Sequence, residues 1–123
     1  MTWEVEYTDE FGQWYEALGS EDQDAVIARV ELLEQVGPGL GRPSVDNIHQ
    51  SRHSHMKELR AERAMRVLFA FDPRRSAILL IGGSKHPDET TSANWNEWYD
   101  EFVPKADDLY DAHLQALQRE GLI

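Results

Sequence analysis

Eight of the twelve basic residues of the chain lie between positions 52 and 85, where only three residues are acidic. Arginine suits phosphate chemistry because its planar guanidinium binds two oxygens at once and stays charged. The rest of the chain is acidic, and the formal net charge is -11. This asymmetry indicates one site for an anionic ligand on an acidic protein, although a solvated hairpin paired with acids from elsewhere would give the same pattern. The eight are Arg52, Lys57, Arg60, Arg63, Arg66, Arg74, Arg75 and Lys85.

Two of these arginines are the best candidates for chemistry. Arg66 ranks first because it interrupts an otherwise apolar segment, Met65–Phe71, and the alternative is a solvated arginine at the start of a strand. Arg60 ranks second and shares a strand face with Glu58, since side chains two residues apart point the same way. The two arginines face the same way only if the turn between their strands holds an odd number of residues, such as the five from 61 to 65. A four-residue turn would send Arg66 to the other face.

Lys85 and His86 follow an apolar segment and the pair Gly82-Gly83. Glycines allow the backbone to approach a phosphate closely, so Lys85 is a candidate phosphate ligand. Histidine titrates near neutrality, so His86 is a candidate general acid or base. An ordinary surface lysine and an ordinary loop histidine are the alternatives.

Further residues of the basic stretch are candidate substrate contacts. Alternation turns Lys57 away from Glu58, towards the helices or the rim of the sheet. Glu58 is either a general base or an ion-pair partner of an arginine, and the ion pair is the favoured interpretation. The predicted substrate-binding set is His55, Lys57, Glu58 and Arg63.

No metal or cofactor is expected. His53 and His55 would share one strand face, and His49 is close in sequence, but no carboxylate pattern completes a metal site. The chain has no cysteine, which excludes a disulfide framework, a thiolate zinc site and a cysteine nucleophile. No apolar run approaches the roughly 20 residues of a membrane helix, and the N-terminus does not resemble a secretory signal. We therefore expect a cytoplasmic protein with one domain, residues 1–123.

The first half of the chain predicts a strand and two helices. Residues 2–7 alternate as in a half-buried strand, and Thr8 is a suitable N-cap for the helix that follows. That helix should end at Gly19. A second helix should begin with a capping box of Ser20 and Gln23 and end at Gly37, before a long loop to about residue 54.

The second half predicts three strands and then helix. The strands are expected at 55–60, 65–71 and 76–81, and the last is apolar on both faces, as in a central strand. A third helix should follow Ser92, with an aromatic stripe, Trp95, Trp98, Tyr99 and Phe102, that is more typical of a core than of base stacking. Pro104 should open a last helix. Short links between the strands predict an α+β fold: an antiparallel β-sheet with helices packed on one face, two of them N-terminal and one C-terminal.

Several of these segments resemble a known family. They are the segment Met56-Lys57-Glu58-Leu59-Arg60, the strand Arg66–Phe71, and the apolar strand Ala77–Ile81 followed by Gly82-Gly83-Ser84-Lys85. These segments are similar to the RelE/HigB-type toxins of bacterial toxin–antitoxin modules, in the RelE/ParE superfamily. The order of elements over residues 1–90 also fits that family. The resemblance implies a RelE-like, microbial-RNase-like fold.

The resemblance also implies a function. Such a toxin is a metal-independent endoribonuclease, an mRNA interferase that cleaves mRNA, usually on the ribosome, and inhibits translation. A helix-turn-helix antitoxin would neutralise it and would provide its indirect contact with operator DNA. Arg66, Arg60, Lys85 and His86 would form the catalytic group. The alternatives are a ParE-like toxin that acts on DNA gyrase and an inactive relative that only binds its antitoxin.

Three features depart from the family pattern. The net charge is negative, the segment after Lys85 is long, and the tail is acidic at Asp107, Asp108 and Asp111. Many such toxins are basic, so these departures bear on docking to the ribosome more than on the fold.

Overall fold

The computed structural model describes residues 2–84 and 92–123, with side chains in the last segment from residue 96 onward. Five strands form one sheet in the order β1-β5-β4-β3-β2. Helices cover both faces of this sheet. The strands are β1 (Val5–Tyr7), β2 (Val45–Asn47), β3 (Lys57–Ala61), β4 (Met65–Phe71) and β5 (Ala77–Ser84), and the helices are α1 (Asp9–Glu16), α2 (Ser20–Val36) and α3 (Ser92–Arg119).

The α+β fold class and the meander of β3, β4 and β5 are confirmed, but the sheet is mixed. Strands β2 to β5 pair in antiparallel fashion, whereas β1 pairs with β5 in parallel. The prediction of a fully antiparallel sheet was therefore wrong at β1. A short turn forces neighbouring strands to run antiparallel, but β1 and β5 are separated by two helices and three strands, which form a crossover long enough for parallel pairing.

The helices lie on two faces rather than one. Alternate residues of β5 point in opposite directions: Ala77 and Leu79 pack in the cluster under α1 and α2, while Ile78 and Leu80 pack in the cluster under α3. A strand that is apolar on both sides needs cover on both sides, because exposing either row would leave apolar surface in water. The prediction that α3 would share a face with the other helices was wrong for this reason.

Helix α3 is one helix of 28 residues with Pro104 inside it. The sequence predicted a break at this proline. Val103 and Ala106, on either side of it, are both buried under the sheet. Burial on both sides of the proline stabilises a continuous helix, which offsets the lost backbone hydrogen bond. Within the described residues, no helix is long and apolar enough to cross a bilayer.

The two predicted N-caps have different outcomes. Thr8 caps α1 as expected: its hydroxyl accepts a hydrogen bond from the Phe11 N–H at 3.1 Å and donates to the Leu80 carbonyl at 2.6 Å. The capping box of α2 was wrong, because the N-cap is Gly19 and Ser20 is already helical. Gln23 instead donates from its side chain to the Tyr15 carbonyl, 3.0 Å away, and so joins the two helices.

Strand β2 lies within the segment that the sequence predicted as loop. It has only three residues, and each pairs with β3, from Val45 opposite Leu59 to Asn47 opposite Lys57. Val45 is buried, so this short edge strand is stabilised by its partner strand and by the core. The strand propensity of this segment is weak, and pairing and packing in the folded protein outweigh it.

Candidate functional site

Arg60 of β3 and Arg66 of β4 are direct partners across the antiparallel ladder. The next pair outward is Ala61 and Met65, so the hairpin turn contains only residues 62–64. Arg63 and Ala64 in this turn have left-handed φ values of 65° and 57°. Directly opposed residues point to the same face of a sheet, so the condition that the sequence set for the two arginines is met.

Glu58 is the buried anion next to this arginine pair. It is 1% exposed, and its Oε1 atom accepts a hydrogen bond of 2.7 Å from Arg60 Nε. The Tyr99 hydroxyl of α3 donates to Glu58 Oε2. Both carboxylate oxygens are therefore satisfied, as a buried charge requires. The expected ion pair between Glu58 and an arginine is present.

Asp46 of β2 extends the network towards solvent. Its Oδ2 atom lies 3.2 Å from Arg60 Nη2 and 3.1 Å from Arg42 Nη2. Arg60 thus contacts two carboxylates on two neighbouring strands. Such carboxylates reduce the repulsion that two opposed arginines would otherwise suffer.

The protonation states at the site follow from these contacts. Burial, together with the hydrogen bond to Glu58, raises the pKa of Tyr99 well above its ordinary value, so its hydroxyl remains a donor. Burial is the largest single influence on Arg60 and opposes its charge, but the hydrogen bond to Glu58 and the charges of Glu58 and Asp46 together outweigh burial and raise the Arg60 pKa. The hydrogen bond from Arg42 lowers the pKa of Asp46. Tyr99 therefore stays neutral, and Arg60 and Asp46 stay charged, over the physiological pH range.

Helix α3 packs close to the site at a glycine of β5. Arg66 pairs across β4 and β5 with Gly83. A Cβ atom built on Gly83 would lie 2.2 Å from Trp98 Nε1, so only glycine leaves room for this indole. Trp98 stacks on Phe102 with ring centroids 5.2 Å apart and packs with it against the core. For Trp98 and Phe102 the expected core role is confirmed, whereas the side chain of Trp95 lies outside the described residues.

Sequence reasoning missed Tyr99 as a residue of this site. The aromatic stripe correctly predicted a helix face that packs on the sheet. Its periodicity carried no information on which polar group the tyrosine hydroxyl would meet. A buried carboxylate needs a donor for each of its oxygens, so burial of Glu58 would have indicated a second donor beside Arg60. The sequence alone did not show that Glu58 is buried.

The other candidate residues lie away from the arginine pair or outside the described residues. Arg63 binds Asp22 and Glu21 of α2, away from the arginine pair. Lys57 points to the opposite face from Glu58, and its Nζ donates to Asn47 Oδ1 at 3.0 Å. His55 lines the same cleft as Lys57. Lys85 and His86 lie outside the described residues, and the residue before them, Ser84, pairs with Met65.

The histidines that suggested a metal site have other contacts. His53 Nε2 lies 2.7 Å from Asp111 Oδ1, and its ring packs edge-on against Tyr110. In the part of the chain that the structure describes, no group of three potential ligand residues is arranged to hold a metal ion.

Residues 13–111 match the family described as Phage derived protein Gp49-like (DUF891). The chain belongs to this family. This Gp49-like chain is also similar to two proteins of Mycobacterium tuberculosis that carry the toxin names HigB3 and HigB2. It is 47% identical to HigB3 over 96 residues, which are 77% of this chain and 79% of HigB3. It is 43% identical to HigB2 over 105 residues, 82% of this chain, but spans about half of that protein's length (49%). The RelE/HigB-type resemblance is therefore confirmed.

Solved structures with the RelE fold resemble this Gp49-like chain. The toxin–antitoxin complex RelBE2 of Mycobacterium tuberculosis has a TM-score of 0.55 at 14% identity, over 69% of this chain and 100% of that one. The archaeal RelE–RelB complex of Pyrococcus horikoshii OT3 has a TM-score of 0.52 at 15% identity, over 68% and 96%. A mutant of the E. coli toxin RelE in the free state has 0.54 at 8% identity, over 79% and 94%. At these identities the likeness establishes the fold alone.

Proposed function

We propose that this chain is the toxin of a toxin–antitoxin module and that it cleaves mRNA at the arginine pair, which stops translation. The observation that carries the proposal is the direct pairing of Arg60 and Arg66 on one sheet face, with Glu58 buried beside them. The toxin names of its relatives HigB2 and HigB3 support the same function.

The proposed chemistry needs no metal. The 2′-hydroxyl of the substrate attacks the adjacent phosphorus, the P–O5′ bond breaks, and a cyclic phosphate and a 5′-hydroxyl form. The pentacoordinate transition state gathers negative charge on its phosphoryl oxygens, and fixed cations lower its energy most. In this proposal Arg66 and Arg60 bind those oxygens, and Glu58 and Asp46 hold Arg60 in place before the substrate arrives.

Glu58 is proposed to position Arg60. Its side chain is 2% exposed and both of its oxygens accept hydrogen bonds, whereas the Arg60 side chain is 36% exposed. Arg60 can therefore reach a substrate while Glu58 holds its guanidinium from below. The proton transfers, which contribute about 10²–10⁴-fold in such reactions, are proposed for His86, and Lys85 is proposed to bind the phosphate.

The proposed partner is a cognate helix-turn-helix antitoxin, with mRNA and the ribosome as targets and operator DNA reached through the antitoxin. Among the structures that share this fold, one is the toxin–antitoxin complex RelBE2 and another is an archaeal RelE–RelB complex. A small reading frame beside this one that encodes a helix-turn-helix protein would support the pairing. The proposed location is the cytoplasm, where mRNA is translated.

The test is induction of the chain alone in bacteria, beside the variants Arg66→Ala and Arg119→Ala. Arg119 is an exposed arginine at the end of α3 and serves as the matched control. Amino-acid incorporation and chromosome integrity are followed over the first minutes. We expect translation to stop with the parent and with Arg119→Ala and to continue with Arg66→Ala.

Other outcomes lead elsewhere. Arrested growth with continued translation and broken DNA would replace this proposal with a gyrase-directed toxin. No effect of the folded parent would leave an inactive antitoxin-binding relative. Circular dichroism of each purified variant separates a lost function from a lost fold.

A further inference from the structure

A second basic site lies at the opposite end of the β3–β4 hairpin from the arginine pair. It is a cleft of about 410 Å³ lined by His55, Lys57 and Arg75, with Phe71 and Tyr110 as apolar walls. Lys57 pairs with Phe69, three residues before the register position of Arg60 and Arg66. At about 3.3 Å per strand residue this separates the two sites by roughly 10 Å along the sheet.

Two cations of this cleft, Lys57 and Arg75, lack the carboxylate partner that six other basic side chains of the described residues have. Arg42, Arg52, Arg60, Arg63, Arg74 and Lys105 each bind a carboxylate. By contrast, Lys57 donates to the neutral Asn47 side chain, and the Arg75 guanidinium lies over the Trp3 ring, 5.1 Å from its centroid. Neither of them forms an ion pair with any residue that the structure describes. The net charge of the protein is -11, yet these two cations have no carboxylate partner in the part of the chain that the structure describes. Their positive charge is therefore available to an anionic ligand in the cleft.

Asp72 also lines the cleft, but its charge is already compensated. Its side chain is 0% exposed and lies 2.9 Å from His113 Nε2 and 2.8 Å from Arg74 Nη2. Its other oxygen accepts the backbone N–H groups of Arg74 and Ser76. The carboxylate therefore has no lone pair left for Arg75, and the charge that the cleft presents to solvent is positive.

The turn that carries Arg75 is held in place. Asp72 N–H donates to the Ser76 carbonyl at 2.9 Å, and Arg75 N–H donates to the Asp72 carbonyl at 2.7 Å. Arg75 itself has a φ of 69°, a left-handed conformation that favours glycine or asparagine over arginine. An arginine is thus kept at a strained position, from which its side chain reaches the cleft. Backbone strain of this kind is commonly retained where a side chain has a function.

We propose that this cleft binds a phosphate group through Lys57, Arg75 and His55, separately from the arginine pair. Lysine and arginine donors in a concave site with fixed walls are suited to phosphate oxygens. The phosphate can come from a nucleic-acid backbone or from a small phosphate. The backbone is the favoured source, because Tyr110 and Phe71 give the cleft apolar walls that a sugar can contact.

The test uses the full chain and a fluorescent single-stranded 2′-O-methyl oligonucleotide, which has no free 2′-hydroxyl and so resists cleavage. Binding is measured by anisotropy at several salt concentrations for the parent, Lys57→Gln, Arg75→Gln and the matched control Arg119→Gln. We expect each cleft variant to weaken binding about 3- to 10-fold and to reduce the salt slope by about 0.7. Arg119→Gln should match the parent.

A second arm titrates inorganic phosphate and follows the Arg75 Nε–Hε signal by NMR. A shift in the parent that is lost in Lys57→Gln assigns the site to phosphate in general. Oligonucleotide binding without this shift assigns it to the nucleic-acid backbone. Cleft variants that equal Arg119→Gln in both arms, with thermal unfolding unchanged, would overturn the proposal. Binding does not require cleavage, so the cleft variants should weaken it relative to Arg119→Gln even if the proposed toxin activity fails.

Discussion

The hydroxyl of Tyr99 on α3 donates a hydrogen bond to Glu58 on β3, and this bond joins the C-terminal helix to the strand that carries Arg60. The contact crosses two elements that are far apart in the chain. It makes the arrangement of the arginine pair depend on the packing of α3.

Removal of this hydroxyl should destabilise the protein. Tyr99→Phe leaves Glu58 Oε2 buried without that donor, so we expect the free energy of unfolding to fall by about 1–3 kcal/mol. Urea denaturation at neutral pH measures it. Tyr7→Phe is the matched control, because Tyr7 is 67% exposed, and it should change stability by less than about 0.5 kcal/mol. Equal effects of the two substitutions would contradict the assigned role of Tyr99.

The ion pair of Arg60 and Glu58 should appear as coupling in a double-mutant cycle. Arg60→Ala leaves a buried carboxylate without its cation, and we expect a cost of about 1–3 kcal/mol. Adding Glu58→Gln removes that charge, so the double variant should be more stable than the sum of the single changes predicts. Denaturation of all four proteins gives the coupling energy. Additive changes would mean that the two side chains do not interact in solution.

The buried carboxylate of Asp72 predicts a loss of stability in acid. Burial is the largest single influence and opposes its charge. Hydrogen bonds from His113, Arg74 and the Ser76 N–H, with the charge of Arg74, together outweigh burial and hold the pKa of Asp72 below its ordinary value of 3.8. A group with a lowered folded-state pKa stabilises the protein above its unfolded pKa, and this contribution disappears as the pH falls through the folded value.

Asp72→Asn should therefore cost about 2–4 kcal/mol at pH 7, and the difference from the parent should shrink below about pH 4. Denaturant titrations across this range provide the measurement. Asp24→Asn, on an exposed face of α2, should stay within about 0.5 kcal/mol of the parent at pH 7. A difference that stays constant down to the lowest pH would refute the assignment.

Gly83→Ala should displace Trp98. The added Cβ atom would lie within 2.7 Å of three indole atoms, so either the indole or β5 must move, at a cost of about 1–3 kcal/mol. Because Gly83 is the β5 partner of Arg66, this shift should also lower activity in the translation assay. Gly41→Ala is the control, since a Cβ atom there meets nothing within 4 Å. An unchanged tryptophan fluorescence spectrum in Gly83→Ala would contradict the packing described here.

Local patterns in the sequence were sufficient for much of the framework. Alternation located β4, and the Thr8 cap located the start of α1. The continuous apolar run at 77–81 located β5 and identified it as a strand covered on both faces. The same period of two stated the condition under which Arg60 and Arg66 would share a face. These features depend on residues near one another in the chain, so periodicity and capping chemistry are enough to predict them.

Only the tertiary structure decided the remaining features. Three of them depend on packing between distant segments. They are the three-residue turn that places Arg60 and Arg66 on one face, the contact of Tyr99 with Glu58, and the continuity of α3 through Pro104. The cleft likewise brings Lys57 on β3 close to Arg75 in the turn between β4 and β5. A sequence records which donors, acceptors and charges exist, but which of them meet is decided by the burial of apolar surface over the whole fold.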